Sequence, residues 1–223
     1  MILFKPFDNI DACFMGRDME PLTQQGLAIS DLFLLKQVHG DRILSLGPDN
    51  SIAKNRMAEA DGVICAISGV SIAIKTADCV PILMAHPQGV VAAVHAGWRG
   101  TDQRILTRAL EILKTEFKLS PSELKIAIGP AISQESYQVD SAVAQRFSDG
   151  SFEGVVRPQG EKFLLDLKRA NLQLALGAGV PIQNIEVHPE CTYQKTEFYS
   201  YRRSQKEGAP TEGRNYSWIR LLK

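Results

Sequence analysis

"VPILMAHPQGVVAAVHAGWRG", residues 80–100, is the stretch that decides the fold. Two runs, 80–85 and 89–95, consist of branched and small apolar residues with no polar face, and "HPQG" between them is turn chemistry. Strands of that kind belong in the middle of a sheet covered on both sides. The second run then turns polar within five residues, delivering His95, Gly97, Trp98, Arg99 and Gly100. Either these residues finish a turn, or the strand holds His95 at the wall of a site.

Working outward, the same signals recur in "LFLLKQV" (32–38), "RILSL" (42–46), "GVICAI" (62–67) and "VSIAIK" (70–75), each short, apolar and bounded by Gly, Pro or Asp. "LKIAIGP" (124–130), "IEVHP" (185–189) and "YSWIRLLK" (216–223) add later strands. Residues 101–118 change period. Leu106, Leu110, Leu113 and Phe117 recur at helical spacing, which predicts one surface helix with Thr101 or Asp102 as its N-cap. A weaker helix is expected near 141–147 and a clear one from Asp166, stopped by Gly177, Gly179 and Pro181. With no repeat or long linker, residues 1–223 read as a single α+β domain richer in strands than helices.

Composition excludes several function classes. The 223 residues are 44% hydrophobic, with 25 Lys and Arg balanced by 25 Asp and Glu. That balance carries no electrostatic footprint for nucleic acid or an anionic membrane as main partner. The most apolar region is broken by His86, Pro87, Gln88 and His95, so no membrane span is expected. The N-terminus meets Asp8 and Asp11 before any long apolar run, unlike a secretory signal. Cys13, Cys65, Cys79 and Cys191 form no CxxC pair and read as reduced thiols of a cytoplasmic protein.

Three phrases place metal-binding side chains where a strand becomes a loop: "KQVHGD" with His39, "KTADCVP" with Cys79 and "VHAGWRG" with His95. Two imidazoles and a thiolate suit zinc, whose catalytic sites use three protein ligands and keep a fourth position for water or substrate. Their spacing matches no zinc-finger signature, and plainer accounts stand beside this one. Cys79 could be core packing, and either histidine alone could be a hydrogen-bonded structural residue. Asp61 and Asp78 are available to orient an imidazole or a turn. Arginine forks bind phosphate or carboxylate, which makes Arg99, Arg202 and Arg203 candidate anion contacts, against the alternative of solvated surface charges. The sequence has no GxxxxGK[ST], GxGxxG after a strand, GxSxG or HExxH.

Taken in order, "LKQVHG", "ADGVI", "TADCVPIL", "VHAGWRGT", "IGPAIS" with "YQVD", "FLLDL", "CTY" and "FYSYRR" resemble the multicopper polyphenol oxidase or laccase-domain family, now associated with purine nucleoside phosphorylase activity. The resemblance implies a sandwich of mixed β-sheets flanked by helices. It implies that His39, Cys79 and His95 form a catalytic zinc centre, with copper the alternative ion. It further implies that adenosine, inosine and methylthioadenosine are split by phosphate and that adenosine is deaminated. Arg17 matches the arginine of a family loop, but "MGRDMEPL" lacks the family's Gly-Gly turn after it. Arg17, Arg202 and Arg203, with Arg99 beside them, are then the expected substrate and phosphate contacts. Competing classes are a cysteine hydrolase acting on an amide or cell-wall precursor, a copper phenol oxidase and a non-enzymatic scaffold. Four histidines are too few for a multi-copper array, and the oligomeric state is left open.

Overall fold

A computed structural model describes residues 1–47, 52–208 and 213–222. In chain order the strands begin with β1 (Ile2–Phe4), β2 (Ile10–Met15), β3 (Phe33–Leu34), β4 (Ile43–Leu46), β5 (Gly62–Cys65), β6 (Ser71–Thr76), β7 (Val80–His86) and β8 (Val90–Ala96). They continue with β9 (Lys125–Ile128), β10 (Gln138–Val139), β11 (Val156–Gln159), β12 (Lys162–Leu165), β13 (Ile185–Val187) and β14 (Asn215–Leu221). The helices are α1 (Glu20–Gln24), α2 (Ile52–Asn55), α3 (Trp98–Asp102), α4 (Ile105–Thr115), α5 (Ser141–Ala144), α6 (Leu167–Gly177) and α7 (Tyr201–Glu207).

Two mixed sheets dominate. One runs β13-β9-β7-β8-β5-β4, the other β1-β2-β14-β6-β3, and a small antiparallel sheet, β10-β12-β11, stands apart. The hairpin at 80–96 forms the centre of the first sheet, with Val80 opposite Ala96 and His86 opposite Val90. Every residue of β7 and β8 is buried. Period-two alternation explains why. Val90, Ala92 and Val94 pack with α4 and α6 on one face, whereas Val91 and Ala93 pack on the other against Phe14, Ile72, Ile74 and Ile219 of the second sheet. A thinner layer, Leu22, Leu32 and Trp218, covers the outside of that second sheet. The result is the expected α+β sandwich flanked by helices.

Four expectations need correction. The helix over 101–118 is two helices, because Arg104 adopts a left-handed backbone (φ 62°) and serves as the N-cap of α4. Thr101 and Asp102 lie inside α3; their side chains are engaged elsewhere, by the amide of Asn171 and the guanidinium of Arg146. The strand over 32–38 shrinks to Phe33–Leu34. Beyond it, the Gln37 side chain takes the place of backbone pairing, exchanging two 2.8 Å hydrogen bonds with the Lys75 peptide groups. His86 is the last residue of β7 and fully buried, not part of the loop. The paired strands β1 and β2 at the N-terminus had no counterpart in the sequence reading. Of the closing strand, Lys223 lies outside the described residues.

Candidate metal centre and cleft

His39, Cys79 and His95 come from three separate loops and strand ends, yet their ligand atoms all lie within 4.8 Å of one another. His95 is the penultimate residue of β8, so a fully buried strand fixes its ring. Cys79 sits directly before β7, after Asp78, which holds a left-handed backbone (φ 91°). His39 is itself left-handed (φ 60°) and the most exposed of the three. The two imidazole rings meet edge to face, with centroids 4.8 Å apart.

One carboxylate organises both histidines. Asp61, fully buried, accepts the Val38, His39 and Gly40 N–H groups at 3.1, 2.9 and 2.8 Å, which holds the strained turn at His39. Its Oδ1 also lies 2.8 Å from His95 Nδ1, leaving Nε2 as the free ligand nitrogen. Asp78 performs a parallel task. Its carboxylate accepts from the Thr192 and Ser200 hydroxyls and the Arg202 N–H at 2.7, 3.0 and 2.6 Å. That arrangement ties the Cys79 turn to the start of α7.

The electrostatics follow from this packing. Burial pushes the Cys79 thiol up, but the adjoining imidazoles, His95 first, outweigh it and bring the thiol down to about 6. Burial pulls His95 down; the Cys79 charge and the Asp61 hydrogen bond raise it instead to about 9. Asp61 is likewise lowered despite its burial, chiefly by its bond to His95. A preformed thiolate beside two imidazoles is the donor set of a borderline metal such as zinc. Space has been kept for it as well: a Cβ on Gly97 would stand 3.0 Å from Cys79 Sγ and 3.4 Å from His39 Cδ2. The residues present therefore fit a single ion.

The three donors stand on the floor of a cleft of about 540 Å³, a size suited to a small organic ligand. Lys36, Lys75, Arg214, Met57 and Tyr201 contribute to its walls. The predicted arginines divide. Arg17 stacks on Tyr199, with 4.4 Å from Cζ to the ring centroid, and Arg99 stacks on Trp98 at the same distance. Arg202 lies 5.2 Å from the Tyr137 ring and donates to the Gln138 carbonyl. Arg203 donates to the carbonyls of Thr192, Tyr193, Lys195 and Phe198, pinning the preceding loop. Lys75 and Arg214 escaped the sequence reading. Their only mark there is a basic residue at one strand's end and another just before a distant strand.

The fold is an α+β sandwich in which the open end of the central hairpin brings Cys79 and His95 together with His39, a set that could hold a metal ion. The sequence matches the family described as multi-copper polyphenol oxidoreductase laccase over residues 17–222, and the chain belongs to that family. A Deinococcus radiodurans protein named purine nucleoside phosphorylase is 38% identical over 180 residues, spanning 80% of this chain and 67% of its own length. A protein named adenosine deaminase RL5, from an unknown prokaryotic organism, is 32% identical over 191 residues, spanning 81% of this chain and 72% of its own. The crystal structure of YlmD from Geobacillus stearothermophilus superposes with a TM-score of 0.87 at 25% identity, covering 99% of this chain and 94% of that one.

Proposed function

We propose that this chain is a zinc-dependent purine nucleoside phosphorylase that acts on adenosine, inosine and methylthioadenosine and also deaminates adenosine. The observation that carries this reading is the convergence of His39, Cys79 and His95 within 4.8 Å on the floor of an open cleft. Relatives named for each of the two activities support it.

The two reactions differ in nucleophile and share the purine. In phosphorolysis a phosphate oxygen bonds to the sugar C1′, the bond to the base nitrogen breaks, and the base departs with the electron pair and takes a proton. In deamination water adds at C6 of the purine and ammonia leaves. His39, Cys79 and His95 are the residues that would hold the ion, which supplies Lewis-acid polarisation when bound. Asp61 keeps His95 Nε2 and the His39 turn aimed at one point, so little reorganisation is needed at the moment of reaction. Tyr201 and Met57, both exposed at the cleft, offer an aromatic face and a soft apolar contact to a flat base. Arg17, Arg99 and Arg202, with their guanidinium groups over Tyr199, Trp98 and Tyr137, lie outside the lining of this cleft and would reach a substrate only beyond it; Arg203 serves as a clamp. Four unpaired thiols, one of them a ligand, suit a cytoplasmic setting.

Elemental analysis, followed by a nucleoside screen with and without phosphate, tests this. About one zinc per chain and phosphate-dependent release of free base are expected, with ammonia from adenosine alone. A cysteine hydrolase is the second reading, favoured by the Cys79 thiol, whose pKa the adjoining imidazoles bring down to about 6. Turnover that survives complete zinc removal and dies on alkylation would establish that one instead.

A further inference from the structure

We propose that Lys75 and Arg214 form a phosphate subsite on the cleft wall above His39, Cys79 and His95. Resting on the phosphorylase reading, this assigns the nucleophile a place that the sequence had given to other arginines. Among the described residues the cleft lining includes two lysines, one arginine and no carboxylate. Lys36 is already neutralised by Glu59 at 2.8 Å. Among the described residues Lys75 has no anionic partner, and Arg214 donates to a neutral group, the Gly213 carbonyl, at 2.7 Å.

The sheet explains why these two meet. β6 and β14 are antiparallel neighbours in which Lys75 faces Tyr216 and Thr76 faces Asn215. Arg214, the residue before Asn215, therefore leaves β14 at the same edge where β6 runs on through Ala77 to Cys79. Lys75 is held on both sides of its backbone by the Gln37 amide, so its position is fixed by the sheet and not by a mobile loop. Thr76, the next residue, alternates to the opposite face of β6 and is buried at 2% exposure beside Phe14 and Phe198, so it is Lys75 and Arg214 that carry the positive charge of this wall. An ammonium and a guanidinium fork together match a tetrahedral phosphate dianion, which offers only acceptors.

The dianion has two sources, free inorganic phosphate and the 5′-phosphate of a nucleotide. Free phosphate is the one the proposed reaction consumes. Calorimetric titration of the zinc-loaded protein with inorganic phosphate and, in a separate arm, with adenosine 5′-monophosphate tests the subsite directly. Lys75→Met and Arg214→Gln should each weaken phosphate binding about tenfold or more and raise the phosphate KM by a similar factor, with the nucleoside KM moved by less than about twofold. Lys75→Arg, which keeps charge and donors, should retain most of the affinity and guards against a fold defect. Weakened nucleotide binding with unchanged inorganic phosphate binding would assign the same subsite to a 5′-phosphate. Unchanged binding of both probes in variants that keep wild-type zinc content and melting temperature would overturn the proposal. Phosphate binding that both variants lose, in a wild-type protein that never cleaves nucleosides, would sink the phosphorylase reading and leave the subsite standing.

Discussion

His95 and His86 occupy the two strands of one hairpin, are buried to 2% and 0% exposure, and have been driven in opposite directions. At the open end, His95 has Asp61 against one ring nitrogen and Cys79 beside it, and its pKa is raised to about 9. At the turn end, His86 accepts the Gln88 N–H at 3.2 Å through Nδ1, while Nε2 stands 3.8 Å from Glu123 without a hydrogen bond. Burial outweighs the Glu123 charge and the Ser120 backbone, both of which raise it, and its pKa is lowered. Equal burial thus produces a structural imidazole at one end and a candidate ligand at the other. The deciding variable is what the neighbouring loops bring to the ring.

Removing each ring in turn gives the largest expected contrast. His95→Ala and Cys79→Ala should abolish stoichiometric zinc and lower kcat/KM about a thousandfold or more, the scale of losing several kcal/mol of charge stabilisation. His86→Leu should keep the full zinc content. Zinc analysis of purified variants beside steady-state kinetics decides the matter, and a His95→Ala protein that holds zinc normally would remove the metal assignment.

A subtler break is Asp61→Asn. The carboxylate faces four donors, the Val38, His39 and Gly40 N–H groups and His95 Nδ1. An amide cannot serve them all, because whichever oxygen becomes NH2 points a donor at a donor. Zinc affinity should fall about 10- to 100-fold through misaligned ligands, measured by chelator competition, with a correctly folded chain by circular dichroism.

Thiol chemistry extends the comparison to pH. In metal-free protein the Cys79 thiolate forms as pH rises through about 6, so its alkylation should follow that midpoint. Cys13 is pushed up by burial to about 11 and Cys65 is raised for the same reason, so both should stay silent at neutral pH. His95 keeps its proton until about pH 9, and zinc must displace it. Zinc affinity should therefore climb between pH 6 and 9 with proton release, and bound zinc should protect Cys79. Site-resolved mass spectrometry after brief alkylation reads the profile.

Much of this was legible in the sequence because it is local. The unbroken apolar runs of β7 and β8 demanded a doubly covered hairpin, and "KQVHG", "TADC" and "VHAGW" each marked a strand end. What escaped depends on contacts between distant segments or on single backbone torsions. Nothing in the Leu106–Leu110–Leu113 periodicity reveals that Arg104 turns left-handed and splits the helix. Arg203 has the residue type of an anion contact, yet the path of residues 192–198 surrounds it with carbonyls. Lys75 and Arg214 meet only because β6 pairs with β14.

The smallest expected effect is the stability change of His86→Leu, and its sign depends on pH. At neutral pH two terms oppose: the variant loses the acceptor for the Gln88 N–H, and it also removes a buried ring nitrogen without a partner. Each is on the order of 1 kcal/mol, so the net change should stay within about that amount. Acid breaks the balance. The folded-state pKa of His86 lies below the ordinary imidazole value of 6.5, so the unfolded chain binds a proton that the folded chain resists. Wild-type stability contributed by the neutral ring is therefore complete above about pH 6.5 and is lost as pH falls through the depressed folded value. Leucine has no such proton, so the variant should gain on the wild type between pH 7.5 and pH 5. His188, lowered by its own burial, keeps part of the slope in both proteins. Urea unfolding at the two pH values measures the difference. Parallel losses in wild type and variant would mean that His86 is not held neutral by its burial, and the contrast with His95 would have to rest on metal binding alone.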